Sequence, residues 1–172
     1  MRSIALGFFA LIMVLQAAAQ DTNVVINREA YKMKLTIDKK TGIETDIKVS
    51  PWFTKENALQ IFPGEEIYLE AELDNGKIKS VKVVKENLHP ENTIAISFSQ
   101  VVENQAHSMM MLRVTNPFKQ NLAYKAKIRL DKPKDKWVAS SVLPIKPGIT
   151  SYETWPEILT GIELTDWSLQ GN

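Results

Sequence analysis

The sequence predicts an all-β fold, an antiparallel β-sandwich preceded by β-hairpins that pack on it or extend it. Three observations carry that prediction. Apolar residues recur at every second position in one segment after another, short turn-forming clusters separate the segments, and almost no stretch shows the 3.6-residue repeat of an amphipathic helix.

The elements follow in order. Tyr31, Met33, Leu35 and Ile37 alternate with Lys32, Lys34 and Thr36, and Ile43, Thr45, Ile47 and Val49 alternate with Glu44, Asp46 and Lys48, the pattern of strands with one buried and one wet face. The polar loop Asp38-Lys39-Lys40-Thr41-Gly42, whose glycine can take positive φ, joins them as a hairpin in which Lys32 and Lys34 could face Glu44 and Asp46. Thr54 to Gln60 reads as one helical turn or a loop, and Phe62-Pro63-Gly64-Glu65 as a turn. Ile67, Leu69, Ala71 and Leu73 then lead into Asp74-Asn75-Gly76-Lys77, a type I′ hairpin signal, and the returning strand Ile78 to Lys85 offers lysines to the glutamates opposite. After the break at His89-Pro90-Glu91-Asn92 come three apolar stripes: Ile94, Ile96 and Phe98; Ser108, Met110, Leu112 and Val114; and Leu122, Tyr124, Ala126, Ile128 and Leu130. Asn116 to Asn121 turns the chain between the last two. Trp137 to Leu143 and Ile158 to Leu169 supply further strands, separated by Pro144-Ile145-Lys146-Pro147-Gly148 and by Trp155-Pro156.

Residues 1–19 read as a secretory signal peptide: basic Arg2, an apolar run from Ile4 to Leu15, and Ala17-Ala18-Ala19 as the cleavage site. The run is shorter than the ~20 residues of a spanning helix, and no cysteine follows it to receive a lipid. A periplasmic or secreted, bacterial location is therefore expected. Residues 20–172 have the length of a single β domain, with residues 20–90 as an N-terminal hairpin part and 91–172 as the sandwich part. Arg2 is the one charged residue removed with the signal, so the 21 basic and 20 acidic residues of the whole chain become equal in number. A neutral balance argues against nucleic acid or an anionic membrane surface as a general partner. Without cysteine, stability has to come from apolar burial.

Immunoglobulin-like character enters through a resemblance. Leu112-Arg113-Val114-Thr115-Asn116-Pro117, then Tyr124-Lys125-Ala126-Lys127-Ile128, then Ile145-Lys146-Pro147-Gly148 before a closing strand, resemble bacterial immunoglobulin-like sandwich domains across residues 93–170. The resemblance implies adhesion, scaffolding or partner binding more often than catalysis.

Catalytic patterns are scarce. With two histidines, His89 and His107, a nucleophile–histidine–acid triad would need partners from afar, and no serine sits in a nucleophile elbow. There is no phosphate-binding loop, dinucleotide fingerprint or two-histidine zinc motif. A non-enzymatic protein without cofactor is expected. The segment with most chemical character is His107-Ser108-Met109-Met110-Met111. In an extended strand His107, Met109 and Met111 share one face, an imidazole and two thioethers suited to copper, while Met110, Leu112 and Val114 read as core. His-x-Met resembles the metal sites of periplasmic copper chaperones with a cupredoxin-like sandwich. The upstream ligands those need would have to be His89 and Met33, at a spacing that does not match. The competing reading has the methionines filling a second buried face.

Tyr152, Trp155 and Trp167 form the aromatic candidates, as anchors for a protein partner or as platforms for sugars, against the usual use of tryptophan in a core. Trp137 and Trp52-Phe53 are weaker members. The leading expectation is an exported protein that binds another macromolecule, an envelope or secreted protein, in a cell-envelope or secretion assembly. The alternatives are a periplasmic copper-binding protein and a carbohydrate-binding module. Edge strands such as 31–37 offer a route to recruiting a partner strand.

Overall fold

The structure is a computed structural model in which residues 26–131 and 136–171 are described, so the expected signal peptide, residues 1–19, lies outside the described residues. In chain order the strands are β1 (Asn27–Arg28), β2 (Tyr31–Thr36), β3 (Gly42–Ile47), β4 (Ser50–Pro51), β5 (Leu59–Ile61), β6 (Glu65–Asp74) and β7 (Lys77–Val84). They continue with β8 (Thr93–Glu103), β9 (Ala106–Thr115), β10 (Asn121–Leu130), β11 (Trp137–Ser140), β12 (Thr150–Trp155) and β13 (Leu159–Gln170). No helix occurs among the described residues.

All pairings are antiparallel. One sheet runs β12-β9-β8-β6-β7 and a second β11-β10-β13-β5, with two small sheets, β1-β4 and β2-β3, beside them. The inward sides of the two large sheets share one apolar core. Ile67, Leu69, Ile94, Ile96, Phe98, Met110, Leu112 and Val114 come from the first, and Leu59, Ile61, Leu122, Tyr124, Ala126, Ile128, Ile162 and Leu164 from the second. The chain is all-β and antiparallel, an arrangement compatible with a β-sandwich. Each fully buried aliphatic side chain contributes about 1.5–3 kcal/mol of transfer free energy, which is how a cysteine-free chain holds together.

The hairpins before residue 93 are built into this core. The β6–β7 hairpin extends the first sheet through β6–β8 pairing, and β5 extends the second through β13. The β2–β3 hairpin keeps its own sheet but buries Met33, Leu35 and Ile47 in the same cluster. Its wet face carries Lys32–Asp46 at 2.9 Å and Lys34–Glu44 at 3.1 Å, exposed pairs worth under about 1 kcal/mol each. Gly42 serves this hairpin by lacking a Cβ, which would lie 2.7 Å from the Leu35 carbonyl oxygen, and not by a positive φ as the sequence suggested.

Asn75 and Gly76 adopt φ of 49° and 74°, the type I′ turn expected of them. Asn104 and Gln105 do the same at 50° and 63°, joining β8 to β9 without a glycine. Thr54 to Ala58 is a loop, closed by Thr54 N donating to Ala58 O at 2.9 Å and Ala58 N donating to Thr54 Oγ1 at 3.2 Å, and the chain then enters β5. The sequence predicts no strand at β12, because Thr150-Ser151-Tyr152-Glu153-Thr154-Trp155 has extended-chain residues without clean alternation.

Candidate functional site

The β8–β9 hairpin positions the histidine and methionines. Met110, Leu112 and Val114 point into the core, as their alternation implied. Met109 and Met111 take the outward face, opposite Val101 and Ser99. Between Met109 and His107 the register shifts, with Met109 across from Val101 but His107 across from Val102. Ser108 is therefore the extra residue of a β-bulge, and a bulge reverses which face the following side chain takes. His107 consequently lies on the inward side, beyond the end of the core, and the single-face set of His107, Met109 and Met111 read from strict alternation does not form.

Both ring nitrogens of His107 are engaged there. Gln100 Oε1 accepts from Thr36 N at 2.8 Å, which orients the amide so that its Nε2 donates to Thr36 O at 2.7 Å and to His107 Nδ1 at 2.9 Å. Nδ1 is then an acceptor, and His107 Nε2–H donates to Pro156 O at 3.0 Å. His107 N also donates to Ile37 O at 3.1 Å. The imidazole thus ties the end of β2, the β8–β9 hairpin and the turn before β13 together. Among the described residues no group of three His, Cys, Asp or Glu side chains is arranged to hold a metal ion.

The aromatic candidates separate by face. Tyr152 is 58% exposed and points outward beside Arg113 and Met111, on the rim of a shallow depression of about 490 Å³. Arg113 is held there by Glu66 at 3.0 Å. Trp155, three residues on, faces inward, edge-on to Phe98 at 6.5 Å, with its Nε1 donating to Ser140 Oγ at 2.9 Å. Trp167 packs on Tyr124 at 5.0 Å. Asp166, at φ 55°, lies in a second bulge in the β10–β13 ladder, which turns Trp167 and Leu169 inward in place of Asp166 and Ser168. The three side chains do not form one surface.

A cluster that sequence reasoning missed surrounds Arg28. Its side chain is 1% exposed, pairs through Nε with Glu65 Oε1 at 3.2 Å, and donates through Nη2 to the Gln60 carbonyl. Glu65 Oε2 accepts from Phe62 N at 2.7 Å. The guanidinium lies between the rings of Trp52 and Phe62, 4.7 and 4.5 Å from their centroids, and Arg129 continues the stack between Phe62 and Trp137 at 5.6 and 5.5 Å. This alternating aromatic–arginine ladder fastens the N-terminal segment to the second sheet. Burial pushes the Glu65 carboxyl above its ordinary range, with the Phe62 N–H and Arg28 pulling part of the way back. Burial, and then Glu65, raise the phenol of Tyr31, whose hydroxyl donates to Pro63 O at 3.1 Å, well above the usual tyrosine value. No local signal marks Arg28, because a lone arginine before a hairpin reads as solvated and its partners are 24 to 37 residues away in the chain.

No family model matches the chain, and searches of curated proteins and of solved structures likewise return no match.

Proposed function

We propose that the chain is an exported, non-enzymatic immunoglobulin-like β-sandwich that binds another macromolecule in a cell-envelope or secretion assembly. The strand order supports the immunoglobulin-like part. β8, β9 and β12 follow the order of strands A, B and E of such a domain, β10, β11 and β13 that of C, C′ and F, and β5 stands where the closing strand G would be.

The binding part rests on one observation, the unequal protection of the sheet edges. An open strand edge invites a further strand, and proteins guard such edges with lysines or keep them very short. β7 carries Lys77, Lys79 and Lys82, while β11 and β5 span four and three residues. β12, at the other margin of the five-stranded sheet, runs six residues with no lysine, arginine or proline. Three exposed apolar side chains accompany it: Tyr152 within the strand, Ile149 at 52% just before it and Leu143 at 76% on the preceding segment. A partner segment laid along β12 would gain ladder hydrogen bonds and cover these side chains.

A photo-crosslinking residue introduced at Tyr152, compared with one at Ser80 on the lysine-guarded β7, tests the reading in the source cell. The expected result is a discrete adduct from position 152 and none from position 80. Absence of any adduct at 152, or equal labelling at both positions, would refute it.

A further inference from the structure

A cavity of about 660 Å³ opens where β10 and β13 approach strand β7 and the Thr54–Ala58 loop, a volume within the usual range of small-molecule sites. Two half-buried indoles, Trp137 and Trp167, line it. Lys127 and Glu163, also in its wall, stand directly opposite each other across the β10–β13 ladder. Directly opposed charges in the β2–β3 and β6–β7 ladders close into ion pairs at Lys32–Asp46, Lys34–Glu44 and Lys82–Glu70, at 2.9, 3.1 and 2.9 Å, whereas Asp74 and Lys77, at the turn end of the β6–β7 ladder, do not. Lys127 makes no ion pair among the described residues, and Glu163 turns to Gln60 Nε2 at 3.3 Å. Asn57 adds an amide on a loop fixed at φ 60°.

An ammonium donor and a carboxylate acceptor set side by side without pairing, with an amide in the same cavity wall, match the hydroxyls of a pyranose, each of which donates and accepts. The indoles offer apolar surface to the C–H faces of the same ring. Lys79 is held by Glu72 at 2.7 Å and Asp166 by Lys125 at 2.8 Å, which leaves Glu56 and Glu163 against Lys127 in the cavity and disfavours an anionic ligand. We propose that this cavity binds a neutral oligosaccharide of hexopyranose units, with Trp137 and Trp167 as its apolar walls and Lys127, Glu163 and Asn57 as hydroxyl partners. The site shares no residue with β12 and stands independently of the partner-binding reading.

The test follows the indole N–H resonances of the four tryptophans in ¹⁵N-labelled protein during titration with cellohexaose, chitohexaose and maltohexaose to roughly 10 mM, a concentration that detects even millimolar binding. At least one sugar is expected to shift Trp137 and Trp167 saturably while Trp52 and Trp155 stay in place. Lys127→Ala and Glu163→Gln, changes at the outward face, are each expected to weaken binding about tenfold, since hydrogen bonds to charged groups are being removed. If no sugar in the set moves the Trp137 and Trp167 signals, or if the shifts persist undiminished in both variants, the proposal is wrong.

Discussion

Replacing Arg28 with methionine probes the packing of the N-terminal segment most directly. Methionine keeps much of the side-chain volume between Trp52 and Phe62, so the change removes charge and hydrogen bonding more than bulk. What remains is Glu65, 7% exposed, with the Phe62 N–H as its one hydrogen bond. Breaking a buried pair from one side costs about 3–5 kcal/mol. The lost bond to the Gln60 carbonyl corresponds to about 1–3 kcal/mol and the desolvated stacking on two rings to about 2 kcal/mol. These contributions describe one side chain and overlap, so a total near ~4 kcal/mol is expected. With a urea dependence of about 2 kcal/mol per molar, the unfolding midpoint should fall by about 2 M. Adding Glu65→Gln removes the orphaned charge and should recover more than half of the loss, whereas Lys32→Met, at an exposed ion pair, should change stability by under about 1 kcal/mol. A loss below about 1 kcal/mol for Arg28→Met, or no recovery in the double variant, would refute the account of this cluster.

Glu65 also predicts a pH dependence. Its folded-state pKa is raised from 4.5, so the folded chain holds the proton more tightly than the unfolded chain. The resulting stability is fully present below the ordinary value and is lost as pH rises through the folded value. In urea titrations from about pH 4 to 8 the advantage of the wild type over Glu65→Gln should therefore shrink with rising pH, and a growing advantage would mean that pairing with Arg28 outweighs burial. Gln100→Ala should cost about 1–3 kcal/mol and speed hydrogen exchange at the Thr36 amide, and unchanged exchange there would show that the Gln100–His107 network does not hold β2. Met110→Ala should cost about 2–5 kcal/mol in chemical denaturation, against under about 1 kcal/mol for Met109→Ala or Met111→Ala on the outward face, and similar losses at all three would contradict the assigned faces. A fragment starting at Thr93 lacks β5 and β6, which flank β13 and β8, and circular dichroism should find it without the cooperative unfolding of the full chain.

The sequence by itself determined the all-β class and most of the strands, because period-two alternation is a local property of a chain with one face in a core and one in water. It also determined the Asn75–Gly76 hairpin, whose backbone conformation few other residue pairs accept. The inward set of Met110, Leu112 and Val114 was legible for the same reason. Bulges were harder to see. The step from Leu164 to Trp167 breaks the alternation and marks the bulge at Asp166 in retrospect, but nothing comparable announces Ser108. The face of His107 therefore came out reversed, along with the ligand set built on it.

Only the tertiary structure decided which strands share a sheet, that β5 and β6 complete sheets begun by later strands, and that Arg28 is buried against Glu65 between two rings. Each of these depends on pairings between residues distant in the chain, whose free energy appears only once the intervening segments have packed. Local pattern carries no record of them.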